Sequence, residues 1–348
     1  MNDSISPTNA PTTANSLRFG IIGVGIIGQG HAKRLTSEAA PAVLIAVADQ
    51  NPEAAQKIAA EHGVEAAADV TALLAREDID AVIIAVPSGL HAAVTIQALD
   101  AGKHVFLEKP IEVTVEAADR IRAAEQRSGK TLTIASQRRF AAENQFLKQI
   151  IDEGRLGRLT SATIEVPLWR SQEYYDSGAW RGTWKLDGGG ALMNQGVHLV
   201  DLTLWLLGEV EELFAFTGLL AHERIEVEDT VTVTARLKSG AQLTFQATTA
   251  AYGSLPIRMN LMGDAGSIVT ENERVVHLHS RDGLELPEFT PRDILLEGLK
   301  DFVAAVQGNT APLVSSAEAR AAVAFIEAVY ESGRTGAPVR PAALPAEV

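Results

Sequence analysis

From residue 17 the chain alternates short, continuously apolar runs with stretches of helical periodicity. "LRFGIIGVG" (17–25) precedes a helix predicted near 26–37, and "AVLIAVAD" (42–49) precedes one near 52–61. The Ala/Leu-rich stretch 70–76 follows, then "DAVIIAVP" (80–87) and a helix near 89–101. "KHVFLEKP" (103–110), a helix near 114–128 and "TLTIASQ" (131–137) complete the series. Strands without a polar face, separated by helices, belong in a parallel sheet covered on both sides. The pattern predicts a doubly wound α/β domain over residues 17–140.

After a helix near 141–153 the period changes. "DTVTVTARLKSGAQLTFQATTA" (229–250) alternates strictly, with Val231, Val233, Ala235 and Leu237 on one face and threonines and Arg236 on the other. "KSGA" is the turn, and Leu243, Phe245 and Ala247 continue the apolar face. Segments 159–167, 210–217, 256–262 and 274–279 feed the same sheet, and helices near 292–307 and 315–332 follow. The second domain, 141–333, is therefore predicted as α+β with a mainly antiparallel sheet. Its Thr-rich face is wide enough to pair with another copy, so a homodimer or homotetramer through this sheet is expected. Residues 1–16, "MNDSISPTNAPTTANS", read as a disordered tail and not a signal peptide, and 334–348 as a Pro/Ala-rich C-terminal tail.

Composition narrows the classes. The 348 residues are long enough for two cores, and 46% hydrophobic with 21% charged residues is ordinary for a soluble protein. A net charge of −14 argues against a nucleic-acid surface, and no basic run suggests a membrane patch. No apolar run approaches a membrane span, so the expected location is the cytoplasm. The absence of cysteine excludes disulfides, thiolate metal sites and Cys nucleophiles.

Within "GIIGVGIIGQG", Gly23-Val24-Gly25-Ile26-Ile27-Gly28 follows a predicted strand and opens a predicted helix. Asp49 ends the next strand about twenty residues on, the context of a dinucleotide fingerprint. Gly23 permits the turn, Gly25 lets backbone N–H groups approach a pyrophosphate, and Gly28 lets the helix pack closely. Asp49 accepts hydrogen bonds from ribose hydroxyls and repels a 2′-phosphate. With no Arg in "DQNPEA", NAD fits better than NADP; a flavin or a nucleotide-sensing role stays open. Ligands lie beyond the carboxyl ends of such strands. Pro87, Ser88 and His91 of "VPSGLH", Glu108 and Lys109 of "LEKP", and Gln137 are therefore further candidate cofactor contacts. Lys109, delivered by a strand and held by a proline, would have its ammonium destabilised beside a positive nicotinamide and could exchange a proton with a hydroxyl.

"DGGGALMNQGVHLVDLTLWLLG" (187–208) reads as a buried helix opened by three glycines. At 100° per residue, Asn194, His198 and Asp201 share one narrow stripe between two leucine- and valine-rich flanks. Buried polar groups need partners. The seam either forms a structural hydrogen-bond network or lines a ligand cavity. The preceding stretch "LWRSQEYYDSGAWRGTW" (168–184) carries three of the four tryptophans and two of the four tyrosines. Its aromatic faces suit sugar rings, Arg170 and Arg181 suit a carboxylate or phosphate, and the same aromatics would equally anchor a loop or a subunit.

Taken together, "GVGIIG", "LEKP" and "GGGALMNQGVHLVD" resemble the glucose–fructose oxidoreductase and inositol dehydrogenase family, Gfo/Idh/MocA, over residues 17 to 332. The resemblance implies a Rossmann domain followed by an open-faced antiparallel sheet, and NAD(P)-dependent oxidation of a sugar or cyclitol hydroxyl. It implies that Lys109 contacts both cofactor and substrate and that His198 faces the reacting hydroxyl. It further implies that the three glycines leave room for cofactor and substrate, and that the polar seam is the wall of the cleft. The family often has Asp where this chain has Asn194, so Asn194 is expected to orient the substrate and leave the proton to Lys109 or His198. Arg170, Trp180 and Arg181 are the expected substrate pocket, and no metal is required. "QEYYDSGAWRGTWKLDGGGALMNQGVH" looks most like enzymes oxidising C3 of UDP-N-acetylglucosaminuronate. A keto-sugar reductase or a non-catalytic NAD-binding sugar sensor are the alternatives.

Overall fold

The computed structural model describes residues 16–345, so the proposed N-terminal tail, but for Ser16, lies outside the described residues. The first sheet contains β1 (Arg18–Ile22), β2 (Val43–Ala48), β3 (Glu65–Ala66), β4 (Ala81–Ile84), β5 (His104–Leu107) and β6 (Leu132–Ile134). All pairs are parallel, in the order β3-β2-β1-β4-β5-β6. Helices α1 (Ile26–Leu35), α2 (Pro52–His62), α3 (Val70–Leu74), α4 (His91–Asp100) and α5 (Val115–Ser128) make the crossovers. The strands are apolar throughout because both faces are covered: every residue of β4 is fully buried. Local chemistry sets the helix ends. Asn51 accepts from the N–H groups of Glu53 and Ala54 at the start of α2, and left-handed Gly63 ends it.

The second sheet follows α6 (Ala142–Asp152). It comprises β7 (Leu159–Pro167), β8 (Val210–Gly218), β9 (Thr230–Leu237), β10 (Gln242–Thr248), β11 (Arg258–Gly263), β12 (Gly266–Glu271) and β13 (Arg274–Ser280). Their order is β13-β12-β11-β7-β10-β9-β8. Val231, Val233, Ala235 and Leu237 are buried, and Thr232, Thr234 and Arg236 point outward, as the alternation requires. Between β7 and β8 lie α7 (Gln172–Asp176), a widened π turn (Ala191–Gly196) and α8 (Val197–Leu207). One pair, β7 with β10, is parallel, so the sheet is mixed and mainly antiparallel. β12 escapes the pattern because only Ile268 and Thr270 of its six residues are buried.

The chain then returns to the first layer. α9 (Ile294–Gly308) inserts Leu299 and Phe302 into the core of the parallel sheet, with Phe302 edge-on to Phe19 and Phe106. A division at residue 141 does not anticipate this return. α10 (Ser316–Thr335) packs on β8, α8 and α5. The Pro/Ala-rich C-terminal stretch is docked over its described residues: Val339 bridges Leu213 of β8, and the Ala342 carbonyl accepts from Arg320. Among the described residues no helix is long and apolar enough to cross a membrane.

Candidate active site

The glycine loop after β1 is built for close approach. Gly23 has φ +91, and a Cβ there would sit 2.5 Å from the Ala85 carbonyl oxygen; at Gly28 it would meet the Gly23 oxygen at 2.0 Å. Gly25 differs, since nothing lies within 4 Å of a Cβ at that position. The helix behind it starts with no side-chain cap and no acidic residue in its first turn, leaving unpaired N–H groups and the positive end of the dipole facing outward. Ile26 and Ile27 are 79% and 48% exposed around this opening. The Asp49 carboxylate accepts from the N–H of Val24 (2.8 Å) and of Asn51 (2.9 Å), fastening itself to the loop. Gln137, just beyond β6, has a buried side-chain oxygen with no partner. An uncapped helix start, open space at one glycine and an orphaned amide oxygen fit a dinucleotide whose phosphates lie at Gly25.

The other strand-end residues divide. Pro87 and Ser88 enter a short 3₁₀ turn, Ser88–Leu90, which meets the second domain: Gly89 donates to the Leu186 carbonyl at 2.9 Å. His91, expected at the cofactor, is 1% exposed, with its ring nitrogens 2.7 Å from the Pro110 carbonyl and 3.0 Å from that of Val86. It fastens two strand-end loops together and has no nitrogen left for a ligand, which corrects that expectation. Glu108 is likewise occupied by protein groups, lying 2.7 Å from His31 and accepting from the Lys109 backbone. Burial works to raise its pKa, but the hydrogen bond and charge of His31, with Lys109, hold it below the ordinary glutamate value.

Lys109 points across the cleft and donates to the backbone carbonyl of Asn194 at 3.1 Å. That carbonyl belongs to the π turn, a widened helix form that recurs at functional sites. The continuous helix expected over this stretch is thus two segments. Asn194 and half-buried His198 share the side nearest Lys109. Burial first, then Glu108 and Asp187 acting in the opposite sense, determine a lowered pKa for Lys109; Arg181 and Arg170 lower it further. His198 is pushed well below its ordinary value by burial, the Lys109 charge and Arg138. Its imidazole is neutral.

Further along the stripe the role changes. Asp201 is 4% exposed and paired with Arg139 at 2.7 and 2.9 Å, and Arg139 also reaches Glu318 of α10 at 2.7 Å. Trp205 lies beneath Arg139 at 5.5 Å. The polar seam therefore divides, with Asn194 meeting Lys109 at one end and Asp201 held in a buried ion network at the other.

The glycine triplet also needs correction. A Cβ on Gly188 would meet Val113 at 2.4 Å, on Gly189 the Tyr330 hydroxyl at 2.0 Å, and on Gly190 the Glu228 carbonyl at 1.7 Å. These glycines make room for protein, drawing the segment between both domains. The Glu228 carboxylate closes the helix start, accepting from Gly190 and Leu192 N–H (2.9 Å each) and from the Tyr330 hydroxyl (3.2 Å). Burial pushes its pKa up to about 7.

Two carboxylates at this site are invisible to motif reading. Glu228 acts 38 residues beyond the amide it caps. Asp187 stands next to the triplet, but its contacts are tertiary: it accepts from the Asn194 side-chain amide at 2.6 Å and from Gly182 N–H at 2.8 Å. Burial raises its pKa to about 6 against those hydrogen bonds and the Lys109 charge.

The aromatic segment closes the mouth. Arg181 stacks on Trp180 (4.5 Å) and Tyr174 (4.3 Å) and donates to the Tyr174 hydroxyl at 2.7 Å. Arg170 lies 5.2 Å from the same tyrosine ring, and its buried Nε has no partner. Gln195 reaches the Tyr174 hydroxyl at 3.2 Å and leaves its own oxygen unpaired. Positive charge, aromatic faces and two orphaned polar atoms thus meet beside Lys109, where Arg170 and Arg181 both act on its charge.

Residues 17–136 match the model of an oxidoreductase family with an NAD-binding Rossmann fold, GFO/IDH/MocA, and residues 144–269 match the C-terminal domain of that family. Inositol 2-dehydrogenase of Rhizobium meliloti (strain 1021) is 30% identical over 334 residues, 91% of this chain and 97% of the relative. The NAD(+) scyllo-inositol 2-dehydrogenase of Bacillus subtilis (strain 168) is 27% identical over 345 residues, 94% and 96% of the two chains. The crystal structure of the WlbA dehydrogenase from Bordetella pertussis, in complex with NADH and UDP-GlcNAcA, superposes with a TM-score of 0.86 at 32% identity. That match covers 96% of this chain and 100% of the other.

Proposed function

The chain belongs to the GFO/IDH/MocA oxidoreductases, and from that premise we propose how its cleft divides the work of oxidising a sugar-like hydroxyl. It is an NAD-dependent dehydrogenase acting on a hydroxyl of a sugar, cyclitol or nucleotide sugar. NAD, when bound, supplies the hydride acceptor. Gly23, Gly25 and Gly28 shape its phosphate seat, with Ile26 and Ile27 flanking it. Asp49 takes the ribose hydroxyls, and Pro87, Ser88 and Gln137 border the ring end.

Lys109 and His198 hold the hydroxyl proton between them. The observation that carries this reading is the Lys109 ammonium seated on the Asn194 carbonyl, one turn before a neutral His198. A neutral imidazole and an ammonium on the same stretch of the cleft give one hydroxyl both an acceptor for its proton and a positive charge for its oxygen. His198 takes the proton as general base, Lys109 polarises the hydroxyl oxygen, and the Asn194 amide orients the ring. Arg170, Arg181 and Trp180 grip the rest of the substrate. Their charge and the unpaired Arg170 Nε and Gln195 oxygen favour a sugar acid or nucleotide sugar, a UDP-linked uronate oxidised at C3 among them. The outward face of β9 and β10, with Phe214 and Phe216 on β8, is the proposed seat of a homodimer or homotetramer.

The test is turnover with a panel of nucleotide sugars, free hexoses and inositols, followed by NADH absorbance. Lys109→Ala and His198→Ala should each lower kcat by roughly 10²-fold or more while NAD binding, measured by fluorescence, stays nearly intact. Near-normal turnover in both variants removes the proton assignment. A protein that binds NAD and sugar but forms no NADH with any panel member is a sensor instead.

A further inference from the structure

Asn194 cannot ionise, yet its side chain points at a carboxylate. Asp187 Oδ1 takes the Asn194 amide at 2.6 Å, and Oδ2 takes the Gly182 N–H at 2.8 Å. Gly182 has φ +66, and a Cβ there would sit 2.6 Å from Ile225, so the aromatic segment is folded tightly back at the point Asp187 holds. On the other side of the π turn, the Asn194 carbonyl carries Lys109. One buried carboxylate, 2% exposed, therefore joins three parts of the cleft: the lysine loop through Asn194, the π turn, and the arginine-bearing mouth.

We propose that Asp187 is a positioning residue of this dehydrogenase, fixing Asn194 against Lys109, clamping the mouth loop over them and supplying the anionic charge that the amide at 194 lacks. This rests on the reading of Lys109 as a proton-handling group. The charged and titratable groups acting on Lys109 are Glu108 from its own loop, Asp187, Arg181 and Arg170 from the mouth, His91 from α4 and His198 from α8. Only Glu108 and Asp187 in that set favour the ammonium, so neutralising Asp187 makes the ammonium easier to deprotonate.

The experiment titrates Lys109 without turnover: competitive acetylation by trace acetic anhydride across pH, with the Lys109 peptide quantified by mass spectrometry. In D187N the labelling midpoint moves down by about one pH unit. The exchange variant D187N/N194D keeps both shapes and reverses the partners, returning the charge to within one residue's reach of Lys109. Its midpoint lies within about 0.3 unit of the unmodified protein, while kcat is lowered on the order of 10-fold in D187N. A D187N protein with an unchanged midpoint overturns the proposal, since a merely structural carboxylate would not move it. If D187N does not fold, the exchange variant decides alone: a midpoint a full unit low overturns the proposal. Failure of the dehydrogenase reading shows differently, as no sugar oxidised by the unmodified protein while the midpoint still moves.

Discussion

The two glycine-opened helices that frame the cleft begin in opposite ways. α1 starts at Gly25 with no cap, no acid in its first turn and empty space where a side chain would be. The π turn leading into α8 starts at Gly190 pressed on the Glu228 carbonyl, its N–H groups taken by the Glu228 carboxylate. Both starts need glycine, one to keep space free and the other because protein already fills it. An open helix start is reserved for an anion from outside; a closed one has its anion built in.

The comparison breaks most sharply at Gly190. Gly190→Ala forces a methyl to within 1.7 Å of a backbone oxygen and should cost about 3 kcal/mol or more, seen as a fall of several degrees in Tm or as insoluble protein. Gly25→Ala is the counterpart: Tm should stay within about 1–2 °C, while NAD binding weakens about 10-fold, near 1.4 kcal/mol, in a fluorescence titration. If Gly25→Ala loses stability and keeps its affinity, the opening is not a ligand seat.

A third effect concerns pH. Glu228 is raised to about 7 in the fold against an ordinary 4.5, so between these values the native protein holds a proton that the unfolded chain has released. Its contribution to stability is complete below about pH 4.5 and is lost as pH rises through about 7. Tm should therefore decline from pH 5 to 8 more steeply in the unmodified protein than in Glu228→Gln. Parallel slopes in the two proteins would show that the cap stays ionised throughout.

What could be read from the chain follows the range of the forces involved. β4, "AVII", is buried on both faces and announces a covered parallel strand; the alternation of β9 announces a half-covered one. The glycine loop and the lysine after β5 are local features, legible because one strand end positions each. The parts that were not legible are tertiary. Nothing near His91 shows that two backbone carbonyls 5 and 19 residues away enclose its ring. Helical periodicity places Asp201 beside His198, but Arg139, 62 residues earlier, makes it a structural ion. The π turn leaves no mark in the hydrophobic pattern, and Asp187 is silent until the fold brings Asn194 and Gly182 to it.

Arg139 is also the rear bolt of the molecule. It leaves the end of the parallel sheet, grips Asp201 on α8 and Glu318 on α10, and is 1% exposed. Removing one partner of such a desolvated cluster costs about 3–5 kcal/mol, far more than thermal motion supplies. The cluster therefore ties the two halves together at that end. The aromatic segment, residues 168–186, meets the first domain more lightly, through the Gly89–Leu186 backbone hydrogen bond.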